Sequence, residues 1–465
     1  MNGFVLRGCE VEGRIVDVRI RGARVTDVGD VRCGPDEEAI DALGGALLPG
    51  LHDAHLHLLA LAAAARSLSC GPPVVTDRAG LAAALAGAPG DARGWVRGVG
   101  YVETVAGDLD AATLDRLHRD RPVRVQHRSG ALWAVNSKGI ERLGLDRTDH
   151  PGVERSADGS ATGRLWRADT WLRTRLPATD LPDLETVGRR LAGFGITSVC
   201  DATPDLDQSA LAALAEASAR GALPTRLQVL GAPLQFGALP APLTTGPYKI
   251  VLADSGLPDI DQLADRIRAA HSADRAVAVH CVTRQALVLL LATFDLTGVR
   301  TGDRIEHAAI VPADLIPRLA RLRLHVVTQP GFLVDRGDDY LRDVAPDDLP
   351  DLYRCRSLLD AGILVSLSSD APYGPLDPWQ VMSAAAARTA ASGVVLGVEE
   401  TVSVERALAG YLSAPANPGG PPRRVEPGTR ADLVLLDRPA VDLLIAPEAG
   451  AVRMTMFDGR VVAGR

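Results

Sequence analysis

The sequence predicts an α/β fold, a (β/α)8 TIM barrel with a small β-sandwich domain formed from both chain ends and an insertion capping the barrel. Three observations lead there. The middle of the chain alternates short apolar runs with helical patterns, the mark of βα units on a parallel sheet. Both ends are instead rich in short β-prone pieces broken by charged turns. The apolar content is mainly Ala, Leu and Val, with only 4% aromatic residues, which suits a barrel core filled by aliphatic side chains.

Along the chain, FVLRG, RIVDVRI and RVTDV between Phe4 and Val31 read as small antiparallel strands, and ADLVLLD and VRMTMFDGRVV near the C-terminus look alike. Chain termini often lie close together, so residues 1–50 and 418–465 are expected to pair into one domain. The barrel is expected over 51–417. Its clearest strands are AVAVH, DRIEHAAIV, LHVVTQP and ILVSLSSD. Between them Ile260, Leu263, Ala264 and Ile267 recur at helical spacing, and Ala286 to Phe294 is a second helix candidate. The stretch from about 76 to 182, irregular and rich in Gly, Pro and Arg, is expected to be the cap. PGGPPRR, within Asn417 to Gly428, marks the linker to the C-terminal strands.

Composition excludes several partners. The 465 residues, 46% hydrophobic and 23% charged, describe an ordinary globular protein with material for a large core. A net charge of −8 opposes binding to a polyanion, and the scarcity of aromatic residues argues against base-stacking platforms. No nucleic acid is expected. The longest apolar stretch, Leu58 to Ala65, is too short to cross a bilayer, and Met1 to Ile20 lacks a secretory pattern. Cys9, Cys33, Cys70, Cys200, Cys281 and Cys355 are widely spaced and read as reduced thiols. These features together point to a cytoplasmic protein with a small-molecule partner, for which a homodimer is an allowed assembly.

Chemistry concentrates first in LLPGLHDAHLHL, where a Pro49-Gly50 turn precedes a short strand. Period-two alternation sends Asp53, His55 and His57 to one face, and two imidazoles can then converge on one ion. A lone HxH arises by chance in a chain with ten histidines. The pattern gains weight because later strand candidates each carry a ligand or base near their ends: Lys249 in GPYKIVLAD, His280 in AVAVHC, His307 in DRIEHA and Asp370 in VSLSSDAP. Strand ends are where a barrel keeps its catalytic groups, and imidazole with carboxylate suits Zn²⁺ and similar ions. By parity His52 and Cys281 point away from the site. Glu306 by the same rule pairs with Arg304 or packs outside.

These segments resemble the amidohydrolase superfamily, within it the YtcJ-like branch that includes formamide deformylases. The likeness runs through PGLHDAHLHL, GWVRGVGYVET, DRPVRVQHRSGALWAVNSKGIERLGL, GITSVCDA, YKIVLADSG, the His280 and His307 strands, SSDAPYGPLDPW and VEPGTRADLVLLD. The resemblance implies that His55, His57 and Asp370 hold one divalent ion, His280 and His307 a second, and Lys249 bridges them as an N6-carboxylated side chain. A mononuclear site with unmodified Lys249 stays open. It also implies Zn²⁺ as the metal and Asp370 as the catalytic proton carrier.

The chain departs from that family where Ser129-Gly130-Ala131 replaces Asp-Gly-His and where Thr283-Arg284 replaces Gly-Asp. Candidate substrate contacts are Arg284, whose guanidinium could bind a carboxylate, Tyr373 and Trp133. The expected reaction is hydrolysis of a non-peptide carbon–nitrogen bond in an amide, N-formyl, N-acyl or cyclic amide. Two alternatives are deamination of an amino-heterocycle and a non-catalytic, metal-retaining binder of a small molecule.

Overall fold

A computed structural model of the chain describes residues 3–176, 183–235, 237–253 and 256–464. It forms two compact units, one of Met1–Leu59 with Leu184–Arg465 and one of Ala60–Asp183.

In the first unit, parallel strands carry the candidate ligands. They are β1 (Leu51–Leu56), β2 (Ile196–Asp201), β3 (Arg226–Val229), β4 (Tyr248–Val251), β5 (Val277–Cys281), β6 (Arg304–His307), β7 (His325–Thr328) and β8 (Val365–Leu367). β1, β2 and β3 pair in one sheet in the order β3-β2-β1, with Thr244–Thr245 beyond β3, and β4 to β8 pair consecutively in another. Backbone bonds run between the sheets at both sides: Lys249 N to Leu230 O at 3.2 Å, Asp370 N to His55 O at 2.8 Å and His57 N to Ala371 O at 2.8 Å. β1, β2, β6 and β8 are buried along their whole length, so the polar side chains that β1 and β6 carry, His55, Arg304 and Glu306 among them, lie inside the protein.

The intervening helices follow the sequence pattern. Helix Ile260–Ser272 is capped by Asp259 and buries Leu263, Ala264, Ile267 and Ala270. Helix Arg284–Thr297 is capped by Thr283, whose hydroxyl accepts from Ala286 N at 3.3 Å, and buries Ala286, Leu287, Leu290, Leu291 and Phe294. At the entry to β1, Gly50 is required by space: a Cβ there would lie 2.2 Å from Thr197 Oγ1.

The chain ends form two four-stranded sheets. One orders Arg24–Gly29, Arg14–Arg21, Phe4–Val11 and Glu38–Asp41; the other orders Arg460–Gly464, Val452–Phe457, Leu433–Leu436 and Leu47–Pro49. Leu6, Val18 and Val25 of the first share a core with Leu47, Leu433, Leu435, Met454 and Met456 of the second.

The second unit has its own six-stranded sheet, in the order Val153–Arg155, Ala161–Trp166, Leu132–Val135, Val123–His127, Val96–Tyr101 and Leu68–Ser69. One cluster includes Leu81, Leu85, Leu114 and Val123, and another includes Trp95, Trp133, Leu143 and Leu165. The irregular stretch expected over about 76–182 falls within this folded unit, except that 177–182 lie outside the described residues, as do Asp254 and Ser255 of YKIVLADSG. Its short strands and Gly-rich turns hide the periodicity that a sequence scan relies on. Among the described residues no helix is long and apolar enough to cross a membrane.

Candidate metal centre

β1 delivers His55, wholly buried, and His57 just beyond its end. The segment following β8 delivers Asp370, held against β1 by the two backbone bonds already described. His57 Nε2 lies 3.1 Å and His55 Nε2 3.5 Å from Asp370 Oδ1. These three residues form a group whose ligand atoms all lie within 4.8 Å of one another. Lys249, itself buried on β4, places Nζ 3.5 Å from His55 Nε2. The ring of His307 at the end of β6 is 4.9 Å from that of His55 and 4.4 Å from that of His280 on β5. All six residues singled out in the sequence therefore converge.

Each of three imidazoles is gripped from outside at Nδ1. His55 Nδ1 contacts Glu306 Oε2, His57 Nδ1 lies 3.1 Å from Thr203 Oγ1, and His307 Nδ1 lies 2.7 Å from Gln329 Oε1. For His55 and His57 this leaves Nε2 facing Asp370, the arrangement by which outer-sphere partners orient metal-binding histidines, whereas at His307 it is Nδ1 that lies 4.0 Å from Asp370 Oδ2. Asp370 Oδ1 is buried and has no hydrogen-bond partner. An orphaned carboxylate oxygen facing two imidazole nitrogens is a donor set that a divalent cation satisfies. The residues fit a metal.

Burial and neighbours favour the protonation states that coordination needs. Burial, then Lys249, pushes His55 down to about 3, and burial with His307 and Lys249 holds His280 well below the usual range. Burial likewise lowers His307 and Lys249, with Glu306 and Asp370 opposing the lysine shift. Burial would raise Asp370, but His57, His55 and His307 outweigh it and hold the carboxyl well below its usual value.

Two backbone features aim these groups. His307 and Asp370 both adopt left-handed conformations, with φ of 71° and 51°, uncommon for such residues and frequent at functional sites. The turn at His307 also corrects the strand-parity expectation for Glu306. Glu306 does pair with Arg304, at 2.5 Å, but it does not pack outside: it is fully buried and reaches His55. Strict alternation fails because the chain leaves extended geometry at the next residue. Glu306, Thr203 and Gln329 are the site residues that the sequence reading missed. A polar side chain at or just past a strand end, in CDAT, RIEH or VVTQP, was the signal available.

The remaining candidates are placed differently. Tyr373 stacks edge-on against His57, with ring centroids 5.5 Å apart. Arg284 opens its helix with its guanidinium engaged by Asp348, at 3.0 Å from Nε, and by Asp351 at 3.2 Å, so its charge is already neutralised rather than open to a substrate carboxylate. Trp133 belongs to the second unit, buried in its core, where its indole N–H donates to Asp169 at 2.9 Å and Arg97 and Arg124 lie over its ring. There Ser129 Oγ sits 2.7 Å from His127 Nδ1, whose Nε2 is 3.2 Å from Glu103. Asp53 accepts from the backbone N–H groups of His55 and Ser369 at 3.1 and 3.3 Å, and burial raises its carboxyl to about 7. His52 meets Ser198 Oγ at 3.0 Å.

The amidohydrolase family profile matches residues 38–463. The chain belongs to the amidohydrolase family. It is similar to an N-substituted formamide deformylase of Arthrobacter pascens, 28% identical over 91% of this chain and 90% of the relative. It is also similar to the amidohydrolase YtcJ of Bacillus subtilis (strain 168), 26% identical over 74% of each chain. In fold it matches a metal-dependent hydrolase from Pyrococcus horikoshii OT3, with a TM-score of 0.75 at 20% identity over 99% of this chain and 100% of that one. N-isopropylammelide isopropylaminohydrolase from Burkholderia multivorans matches with a TM-score of 0.55 at 18% identity, over 100% of this chain and 99% of that one. This amidohydrolase is a metal-dependent hydrolase of carbon–nitrogen bonds other than peptide bonds.

Proposed function

We propose that this amidohydrolase cleaves the carbon–nitrogen bond of a small N-acyl or N-formyl compound, using divalent metal, of which zinc fits the donor set best. The observation that carries the reading is the convergence of His55, His57 and Asp370 with the Nε2 atoms facing inward. The relative named for N-substituted formamides supports the choice of bond.

In this reading His55, His57 and Asp370 hold one ion, and His280 and His307 a second. When bound, such ions polarise a carbonyl and bring the pKa of water from about 15.7 toward ~7. Asp370 takes the proton that the attacking water gives up and passes it to the departing nitrogen, a base and then an acid. Its low carboxyl pKa keeps it unprotonated at the start of each cycle. Lys249, its ammonium disfavoured by burial, would as the free amine add CO₂ and release one proton, giving a carbamate that could supply anionic oxygen ligands to metal. Tyr373 packs edge-on beside His57.

The same reading takes the two parallel sheets of the first unit as one closed eight-stranded barrel, supported by the backbone bonds at both seams. It takes the sheets of residues 1–50 and 418–465 as a β-sandwich, supported by their shared core.

The test is metal analysis of the purified protein together with turnover of a panel of N-formyl and N-acyl amines, cyclic amides and amino-heterocycles. Amine release with carboxylate formation, dependent on metal, is expected. Ammonia release from the heterocycles would favour deamination, and ligand binding without any turnover would favour a binder.

A further inference from the structure

We propose that Glu306 is the positioning residue that fixes His55 as a metal ligand, and that Arg304 in turn holds Glu306; this rests on the metal-centre reading above. Glu306 is 0% exposed and Arg304 1% exposed. One carboxylate oxygen contacts His55 Nδ1 and the other lies 2.5 Å from Arg304 Nε. Arg304 is itself anchored, donating to the carbonyl oxygen of Ala54, the residue immediately before His55 on β1, at 3.3 Å, and approaching Cys200 Sγ at 3.6 Å on β2.

The three imidazoles gripped at Nδ1 are not gripped alike. Thr203 and Gln329 offer neutral oxygens to His57 and His307. A hydroxyl can donate as well as accept, so Thr203 leaves the tautomer of His57 open. An ionised carboxylate only accepts, so Glu306 requires the proton of His55 to sit on Nδ1 and the lone pair to sit on Nε2, facing His57, Asp370 and Lys249. It also makes that imidazole the more basic ligand. Arg304 neutralises a carboxylate that would otherwise be buried without a counter-charge. Glu306 makes its hydrogen-bonding contact with the centre through His55, and its charge also opposes the lowering of Lys249 by burial.

The experiment measures zinc affinity of the full chain by competition with a chromophoric chelator, alongside proton NMR of the Co²⁺-loaded protein, where each ligated imidazole N–H gives a shifted, solvent-exchangeable resonance. Glu306→Gln should weaken zinc binding by about 10- to 100-fold and shift or abolish one such resonance, while Glu306→Asp recovers part of both. Thr203→Val should cost less. A folded Glu306→Gln protein with wild-type zinc affinity and unchanged Co²⁺ resonances overturns the proposal while leaving the metal centre intact. Absence of zinc binding by the wild-type chain overturns both. Should Glu306→Gln fail to fold, a crystal structure of the zinc-loaded wild-type protein decides: zinc on Nε2 with Glu306 on Nδ1 supports the assignment, and zinc on Nδ1 or a Glu306 turned away refutes it.

Discussion

Gln329 faces His307 Nδ1 with its carbonyl oxygen at 2.7 Å while its amide nitrogen donates to Ser368 Oγ at 2.9 Å. From just past β7 the amide thus links His307 at the end of β6 to Ser368 just past β8, and sets the ring plane of a strand-end histidine from behind. Gln329→Leu should leave both partners unsatisfied, lowering stability by roughly 1–3 kcal/mol. It should also weaken binding of the second equivalent of metal by about 10- to 100-fold. Chemical denaturation with and without metal separates the two effects.

Asp370→Asn keeps the shape of the side chain and removes its capacity to carry a proton. Turnover should fall by about 10²- to 10⁴-fold, with the melting temperature of the protein little changed or higher. An increase is reasonable because a buried charge has been removed. Wild-type turnover by this variant would dislodge Asp370 from its catalytic role.

Lys249→Arg tests the need for a neutral amine at β4. A guanidinium is always charged and cannot form the carbamate, so metal content after dialysis and hydrolytic activity should both collapse. ¹³C-bicarbonate added to the wild-type apoprotein with zinc should give a carbamate carbon resonance that the variant lacks.

Acid should destabilise the fold well above the ordinary carboxylate range. Burial, then Arg423 and Arg304, pushes His52 down to about 3 from 6.5, so between those values the unfolded chain binds a proton that the folded chain refuses. Unfolding free energy therefore rises with pH across that window and its contribution is constant above 6.5. Urea titrations from pH 7 to pH 4 should show falling midpoints, and His52→Gln should flatten the slope by up to one proton. An unchanged slope would mean that His52 is charged in the folded state.

Arg388 is fully buried and donates to the backbone carbonyls of Leu396, Tyr353 and Leu352 at 2.6, 2.8 and 2.7 Å. Arg388→Met should cost on the order of 3 kcal/mol or more, because three carbonyls lose a charged donor at once. Differential scanning calorimetry would register this as a clear drop in melting temperature.

Much of the site was legible in the sequence because metal ligands are few in type and the strands bearing them are short and apolar. His55, His57, Lys249, His280, His307 and Asp370 each stand at a recognisable strand or just past its end, and the helix from Arg284 shows its 3.6-residue period openly. What escaped detection were groups whose role depends on contacts across strands. Thr203, Gln329 and Glu306 are ordinary polar residues until β2 is laid beside β1, β7 beside β6, and the end of β6 is brought to His55. Glu306 was further obscured because alternation is a rule for extended chain, and His307 is not extended. Arg284 looked free because its partners, Asp348 and Asp351, lie more than sixty residues away. The second unit was obscured by its own turns, which interrupt strands of only a few residues.

The left-handed backbones at His307 and Asp370 have a consequence for redesign. Side-chain direction at these two points is set by local torsion, independently of the pleat that governs the rest of each strand. Rewriting the loops beyond them to accept new substrates should leave both ligands where they are, whereas a one-residue insertion or deletion within β6 or β8 should misdirect them together. Laboratory evolution of specificity would therefore gain most from diversity placed after Ala309 and after Tyr373, and would lose most from length changes only a few positions upstream.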